Sequence, residues 1–356
     1  MAGYRQTGGL AAVSAEEGKR LFARTVVHDD GVIGYGGTRT MVIGDLGTGK
    51  TTLALLATTM SVHIKNVKKD VWFEDPKCDV PEADTVIWRG RKLDYWNLFT
   101  RKNYSKSFPN LPYKPLRVHV FHKDDIEFLE DFNGKPSPIE DLDVMKYTDI
   151  QSLYNNLVVS GINVIYAPKV YFMSEMLKKT LNEVQLLNEN DKRYIPPDQP
   201  RHATNFLFWY DLIYFMIELD KHWKDLSESN RRIRWITLIL DEAAQIFPDS
   251  ARAELWHLVN RFAEHELIET RRINLSIFAL AHESAFIFWK IFHRFNTIIW
   301  LPRSSPTKRI SKISDKLIQK LPLGWGIIEE KGGKFGKMHF NEIPHQPRVL
   351  TALGYE

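Results

Sequence analysis

The sequence predicts an α/β fold: a mostly parallel central sheet flanked by helices, with its site at the carboxyl ends of the strands. Two observations predict it. A glycine-rich turn near residue 47 joins a short apolar run to a helix-forming run, and a second apolar run near residue 238 ends in two acidic residues. The predicted strands are 41–43, 71–73, 236–240, 275–280 and 297–301.

Composition limits the class of protein. The 356 residues are 44% hydrophobic, which is enough to bury the core of one large domain or two modest ones. The formal net charge of +4 is too small by itself to indicate nucleic acid as a partner. The single cysteine, Cys78, excludes an intrachain disulfide, so nothing indicates an oxidising compartment.

No segment has the pattern of a membrane or export signal. Residues 1–20 lack the apolar run of a signal peptide. The most apolar stretch, 206–219, contains Asp211 and Glu218 and is too short to span a bilayer. We therefore expect a buried helix here, and a cytoplasmic chain with no membrane segment of its own.

Residues 40–52 carry the strongest motif. They read Thr-Met-Val-Ile-Gly-Asp-Leu-Gly-Thr-Gly-Lys-Thr-Thr, the G-x-x-x-x-G-K-[ST] pattern of a P-loop between a strand and a helix. The glycines let backbone N–H groups point at phosphate oxygens, and the helix N-terminus adds partial positive charge. We expect Lys50 to reach the β- and γ-phosphates of ATP, and the Thr51 hydroxyl to ligate Mg²⁺. The predicted nucleotide-binding residues are Gly44, Asp45, Leu46, Gly47, Thr48, Gly49, Lys50, Thr51 and Thr52.

A second motif supplies the acids that this chemistry needs. Residues 235–242 form an apolar run that ends in Asp241 and Glu242. Asp241 is expected to hold the Mg²⁺ shell, and Glu242 to act as general base on the attacking water. The alternative reading of the pair is a solvated turn or a helix N-cap. Beside a P-loop, however, the Asp-Glu pair predicts ATP hydrolysis rather than a GTP switch.

Three further segments resemble the HerA/FtsK family of ATPases and the related conjugative coupling proteins. Residues 71–79 resemble that family's strand followed by Asp-Pro-Lys-Gly, with Cys78 in place of the glycine. Residues 271–284 resemble its strand ending in Thr-Gln-x-Pro, and 323–328 with 337–340 resemble its closing hairpin. The resemblance covers about 38–90 and 233–348 and implies a RecA-like core.

The resemblance also implies further site residues and an assembly. His282 stands where the family has its sensor glutamine, and it could donate a hydrogen bond to the γ-phosphate or the lytic water; a capping or core histidine is the alternative. The family forms rings, here predicted as a homo-hexamer, in which an arginine reaches the neighbour's γ-phosphate. Arg271 and Arg272 are the candidates for this arginine finger, unless they form ordinary surface salt bridges.

Charge is unevenly distributed along the chain. Residues 89–123 contain nine cations and one acid, and seven aromatic residues are interleaved with them between 88 and 113, a composition that suits a surface tracking DNA. Residues 303–320 contain six cations and one acid, whereas 124–149 contain nine acids and two lysines. We predict a core of 1–88 and 151–356 with an insertion at 89–150. For residues 89–123, the alternative to a DNA-tracking surface is a solvated loop whose aromatic residues pack on the core.

These patterns leave three functions open. The favoured one is a ring motor that translocates double-stranded DNA in packaging, conjugative transfer or processing, a role that would suit a prokaryotic virus or plasmid. An assembly or secretion ATPase acting on protein cargo shares the same motifs. A regulatory nucleotide switch is disfavoured by Glu242. The recruiting partner and the direction of movement are not encoded in any motif.

Overall fold

The computed structural model describes residues 11–12, 26–27, 33–34, 37–63, 78–79, 82–171, 174, 201–222, 231–249, 258–306, 311, 313–331, 335–343 and 347–351. The strands are β1 Ala11–Ala12, β2 Val26–Val27, β3 Ile33–Gly34, β4 Arg39–Ile43, β5 Cys78–Asp79, β6 Thr85–Arg89, β7 Leu93–Asp94, β8 Leu116–Phe121, β9 Phe128–Phe132, β10 Lys135–Pro138, β11 Val144–Tyr147, β12 Ile162–Ile165, β13 Arg232–Ile233, β14 Ile236–Leu240, β15 Leu275–Ala281, β16 Thr297–Trp300, β17 Trp325–Glu330, β18 Phe335–His339 and β19 Arg348–Thr351.

The α-helices are α1 Lys50–His63, α2 Arg101–Ser107, α3 Ile150–Asn155, α4 Arg201–Lys221, α5 Leu267–Glu269, α6 Trp289–Phe292 and α7 Asp315–Gln319. Short 3₁₀ turns span Trp96–Phe99, Ala243–Gln245 and Ser284–Phe286, and a π-helical turn, Phe262–Glu266, leads into α5. None of the helices in the described part of the chain combines the length and apolarity that crossing a bilayer requires.

One large sheet organises the molecule. Its eleven strands lie in the order β1-β18-β17-β16-β4-β15-β14-β6-β12-β8-β11. The eight strands from β16 to β11 are parallel to one another, whereas β17 is antiparallel to both β16 and β18. The predicted α/β class is therefore confirmed. Strands β4, β14 and β15 are buried along their whole length, which explains their continuous apolar sequences.

The two faces of this sheet hold two hydrophobic cores. Along β4, Met41 and Ile43 face the core that contains α4, whereas Val42 faces the core that contains α1. The same alternation along β14 places Ile239 on the α1 face and its neighbours on the α4 face. The predicted helix over 206–219 lies within α4 and is almost entirely buried, as its composition indicates.

Most of the predicted strands match observed ones to within two residues. Strand β14 has the predicted bounds, β4 begins two residues earlier than predicted, β15 is one residue longer and β16 one residue shorter. The predicted strand 71–73 lies outside the described residues. On the side away from β15, β14 pairs with β6, the strand that follows α1 in the main sheet.

Residues 89–150 contribute to two sheets. Strands β8 and β11 extend the parallel edge of the main sheet, and β7, β9 and β10 join β19 in a four-stranded sheet. Side chains of this segment also share the core of the α1 face. The division into a core of 1–88 and 151–356 and an insertion of 89–150 stays a prediction.

Candidate functional site

The phosphate loop lies between β4 and α1, at the carboxyl edge of the parallel sheet. Gly47 and Gly49 have φ angles of 71° and 97°, which side chains on L-residues rarely adopt. The Phe340 ring packs so closely on Gly49 that a Cβ atom there would lie 2.7 Å from Cε2 of the ring. Glycine is therefore required at Gly49 on two counts, and α1 begins at the next residue with its N-terminus facing the loop.

Lys50 is held over this loop by three contacts. Its Nζ donates to the carbonyl oxygens of Gly44 (2.7 Å) and Asp45 (2.9 Å) and lies 3.2 Å from Nδ1 of His282. Burial lowers the pKa of Lys50, although the charges of Asp241 and Glu242 oppose that shift. The ammonium group is thus fixed near the acids, where it can reach phosphate oxygens.

Asp241 and Glu242 follow β14 directly. The Glu242 N–H donates to Oδ1 of Asp241 at 2.9 Å, so the two residues form a tight turn. Glu242 itself has φ 52° and ψ 53°, a left-handed conformation that costs a non-glycine residue about 1–2 kcal/mol. That backbone turns the Glu242 side chain toward the pocket beside Lys50 rather than along the strand.

His282 follows β15, the strand between β4 and β14. Its Nε2 lies 3.1 Å from Oε1 of Glu242, while its Nδ1 faces the Lys50 ammonium. An ammonium can only donate, so Nδ1 accepts, and Nε2 carries the hydrogen that is donated to Glu242. The His282 side chain is 30% exposed and turned into the site, unlike a core histidine.

Arg91 is the site residue that sequence reasoning missed. Its Nη1 donates to Oδ2 of Asp241 at 2.7 Å, and its Nη2 lies 3.3 Å from Oε1 of Glu242. Together the two acids raise the pKa of Arg91 although burial opposes that shift. In the sequence Arg91 was one cation among nine in a basic stretch. Its position just after β6 identifies it, because β6 pairs with β14 and parallel strands end at the same edge.

A second arginine, Arg89, braces the backbone of the same turn. Its Nη1 donates to the backbone carbonyl oxygen of Asp241, and its Nη2 donates to Oε1 of Gln245 at 2.5 Å. The guanidinium is buried, with 4% of the residue exposed. Arg89 therefore fixes the backbone on which the acids stand.

The side chains of Lys50, Arg91, Asp241, Glu242 and His282 line one pocket of about 460 Å³. The phosphate loop and α1 form one wall, the acid pair, Arg91 and His282 form another, and Tyr95, Leu323 and Phe340 form an apolar rim. A nucleotide has this combination of charged and apolar parts, and the volume is typical of small-molecule sites.

The donor set also fits Mg²⁺. Within the described residues, no three His, Cys, Asp or Glu side chains come together as a metal site. Thr51 and Asp241 line the pocket as the two predicted oxygen ligands. Magnesium bound with nucleotide takes one or two protein oxygens and completes its shell with phosphate and water, so two ligands suffice.

Arg271 and Arg272 lie far from this pocket. Both are exposed and precede β15, at the amino end of a strand whose carboxyl end carries His282. Seven residues of strand separate the two ends, about 23 Å. Arg272 contacts Glu269 at 3.1 Å and Asp220 at 3.7 Å. Neither arginine reaches its own chain's pocket, and their role as arginine finger stays a prediction.

The predicted base-stacking role of the aromatics around 89–123 is wrong for most of them. The buried rings belong to the hydrophobic core of the α1 face and cannot reach a nucleic acid; they are Trp88, Trp96, Phe99, Tyr104 and Phe108. Tyr113 remains 41% exposed, with the Arg101 guanidinium 5.8 Å from its ring centroid. The alternative is therefore right that these aromatics pack on the core, but the segment is not a solvated loop, since it forms β7, α2 and β8.

The cations of the same segment are divided between solvent and acidic partners. Arg101 and Lys106 are exposed on α2. Lys102 bonds to Glu130 at 2.9 Å and Arg117 to Asp143 at 2.8 Å, so the acidic stretch 124–149 neutralises part of the basic one. In the second basic stretch, Arg303, Lys316 and Lys320 are exposed, and Lys308, Arg309 and Lys312 lie outside the described residues.

Taken together, the strand order, the glycine-rich loop and the acid pair define a P-loop NTPase fold, with one strand between the phosphate-loop strand and the acid strand. No protein-family model matches the chain, and no curated protein sequence does.

Solved structures give neighbours of low similarity. The genome packaging NTPase B204 from Sulfolobus turreted icosahedral virus 2, in complex with sulfate, is 12% identical, with a TM-score of 0.40 over 87% of this chain and 99% of that one. The N-terminal domain of zonular occludens toxin from Neisseria meningitidis is 8% identical, with a TM-score of 0.28 over 86% and 96%. The cytoplasmic domain of the type VII secretion ATPase EccC from Thermomonospora curvata is 11% identical, with a TM-score of 0.30 over 93% and 26%.

At these identities and TM-scores the likeness carries no argument about function. The fold assignment rests on the strand order of this chain and on the geometry of its own phosphate loop.

Proposed function

We propose that this chain is an ATPase that binds ATP with Mg²⁺ and hydrolyses it in the pocket between the phosphate loop and the acid pair. The observation that supports this most strongly is the convergence of Lys50, Glu242 and His282. They follow three adjacent parallel strands at the carboxyl edge of the sheet. His282 lies between the other two: its Nδ1 is 3.2 Å from Lys50 Nζ, and its Nε2 is 3.1 Å from Glu242 Oε1.

The proposed mechanism assigns one task to each of these side chains. Lys50 and the loop N–H groups bind the phosphates, and Thr51 and Asp241 hold the metal, which when bound neutralises phosphate charge. Water attacks the γ-phosphorus, Glu242 accepts its proton, and the bond to the ADP oxygen breaks. His282 donates to Oε1 of Glu242 and thereby orients the carboxylate toward the attacking water.

We further propose that the ATPase works as a homo-hexameric ring that translocates double-stranded DNA. The exposed cations Arg101 and Lys106 on α2 and the half-buried Lys114 support a phosphate-binding surface. Arg271 or Arg272 would complete the site of a neighbouring subunit from the opposite edge of the sheet, since neither reaches its own.

A protein-directed assembly or secretion ATPase is the second candidate. The observation that favours it is the pairing of basic with acidic segments, since Lys102–Glu130 and Arg117–Asp143 reduce the free positive charge available to DNA. A mixed surface of this kind suits docking between proteins as well as it suits nucleic acid.

Three variants test the ATPase proposal. Glu242→Gln is expected to bind ATP with nearly unchanged affinity and to lose turnover by at least about 10²-fold, because the base is removed while the binding groups stay. Lys50→Ala is expected to lose nucleotide binding as well. Binding is measured with a fluorescent ATP analogue and turnover by phosphate release.

Glu283→Gln is the matched control, because Glu283 is an exposed glutamate next to His282. It should hydrolyse ATP at the wild-type rate. Undiminished turnover in Glu242→Gln would contradict the assignment of the base, and wild-type protein that neither binds nor hydrolyses ATP would contradict the function.

A further inference from the structure

We propose that Arg91 is a movable positioning residue: its guanidinium holds Asp241 and Glu242 until Mg²⁺ and ATP compete for those carboxylates, and it then turns to the γ-phosphate. This inference rests on the proposed ATPase function and deepens it. It follows from the position of one side chain that the mechanism above does not use.

The first step is that Arg91 occupies the atoms that the chemistry needs. Its two terminal nitrogens contact Oδ2 of Asp241 at 2.7 Å and Oε1 of Glu242 at 3.3 Å. Asp241 is the acid proposed to hold the Mg²⁺ shell, and Oε1 of Glu242 also faces His282. A metal shell and a lytic water therefore cannot use these oxygens fully while the guanidinium spans both acids.

The second step is that the side chain can leave. It is 31% exposed and lines the pocket, so it has open space into which it can turn. A partly exposed ion pair is worth about 0.2–1 kcal/mol, which phosphate and metal binding can readily exceed. Arg89 offers the contrast, since its buried guanidinium bonds backbone carbonyl oxygens that no ligand can replace.

The third step is that the pivot is fixed. The Gly90 N–H donates to the Ile165 carbonyl at 2.9 Å, and the Tyr166 hydroxyl donates to the Arg91 carbonyl at 3.2 Å. A Cβ atom at Gly90 would lie 2.5 Å from the Tyr166 ring, so the backbone passes tightly over that ring. The guanidinium therefore moves on an anchored backbone and stays within reach of the nucleotide pocket.

The fourth step concerns the charges in the pocket before and after ATP binds. Arg91 and Lys50 face Asp241 and Glu242 in the pocket, which Asp94 and Glu342 also line. Bound ATP would add several negative charges beside Lys50, while the metal would take over the neutralisation of Asp241. The free guanidinium then lies beside a new group of opposite charge, and planar bidentate donors suit phosphate oxygens. Turning toward the γ-phosphate follows from the electrostatics of the same pocket.

The test compares Arg91→Gln and Arg91→Lys with Lys92→Gln, which removes the same charge one position along the chain. Two quantities are measured: the Mg²⁺ concentration that half-saturates binding of a fluorescent ATP analogue, and kcat for ATP. Arg91→Gln should lower the half-saturating Mg²⁺ concentration about three- to fivefold, because its competitor is gone. It should also lower kcat about 10²-fold, because a donor to the transferred phosphate is lost.

Arg91→Lys keeps the charge but cannot span both acids, so it should lower the Mg²⁺ requirement while restoring part of kcat. Thermal unfolding of each variant checks that it is folded, and the lysine variant carries the test if the glutamine variant is not. Unchanged Mg²⁺ dependence and unchanged kcat in both variants would overturn the inference and leave a structural ion pair. The same changes in Lys92→Gln would also overturn it. An inactive wild type would instead refute the proposed function.

Discussion

Asp94 is the most unusual residue near the site. It lines the nucleotide pocket, is 2% exposed, and accepts hydrogen bonds from the Trp88 indole and the Tyr95 N–H, both at 2.8 Å. Burial raises the pKa of Asp94 to about 7, and the negative charge of Asp241 adds to that shift. Two donated hydrogen bonds oppose the shift without cancelling it.

The raised pKa predicts a pH-dependent stability. A carboxyl group whose folded-state pKa exceeds its unfolded value near 3.8 contributes stability at low pH, and the contribution is lost as pH rises through about 7. Relative to Asp94→Asn, the wild type should therefore lose stability between pH 5 and pH 8. Thermal unfolding of both proteins across this range measures the difference.

Asp125→Asn serves as control for Asp94→Asn, since Asp125 is exposed. Its unfolding temperature should follow the wild type at every pH. Curves for wild type and Asp94→Asn that stay parallel from pH 5 to pH 8 would contradict the assignment of Asp94 as the titrating group.

At the scale of elements, the sequence predicted those segments whose structure is decided locally. The phosphate loop, the acid strand and the strand before His282 combine apolar runs with glycine or polar ends, and they appear as β4 with its loop, β14 and β15. The strand that pairs with β14 was harder to predict, because the pairing of β6 with β14 joins residues about 150 positions apart. Arg91 was missed for the same reason.

The aromatic residues near α2 show a second limit of local reading. Cations alternate with rings along 88–113, a pattern that also suits a nucleic-acid surface. Five of the rings nevertheless form part of the core of the α1 face, whereas the cations Lys92, Arg101, Lys102 and Lys106 are exposed. Only the position of α2 against the sheet separates the two readings, and no composition or spacing encodes it.

Strand β8 carries a buried histidine that predicts acid sensitivity. His119 is fully buried, and its Nε2 donates to Oδ1 of Asn163 on β12 at 3.1 Å. Burial lowers the pKa of His119 to about 4, below its ordinary value of 6.5. The neutral imidazole therefore contributes stability above pH 6.5 that is lost as pH falls toward 4.

His119→Gln keeps an amide donor for Asn163 but cannot ionise. We expect its unfolding temperature to fall less than that of the wild type between pH 7 and pH 4.5. His122→Gln, an exposed position on the turn after β8, should behave as the wild type does. Equal acid-induced losses in wild type and His119→Gln would show that another group causes them.

At the scale of the whole molecule, the two edges of the parallel sheet differ. Its carboxyl edge carries the pocket, and its amino edge, next to β15, carries Arg271 and Arg272. A chain with its site on one edge and exposed arginines on the other suits head-to-tail contacts, which close into rings. The nucleotide chemistry could be predicted from the sequence, but the substrate could not, because Lys102 and Arg117 are paired with acids that lie 26 or more positions away.

The most direct test of the DNA-motor proposal is ATP turnover by the purified chain, with and without linear duplex DNA, over a series of salt concentrations. Lys50→Ala provides the blank. We predict that DNA raises kcat severalfold at low salt and that the gain disappears as salt rises, because contacts between cations and phosphates release counterions. Turnover that is well above the blank but indifferent to DNA at low salt would contradict the proposal and favour a protein cargo.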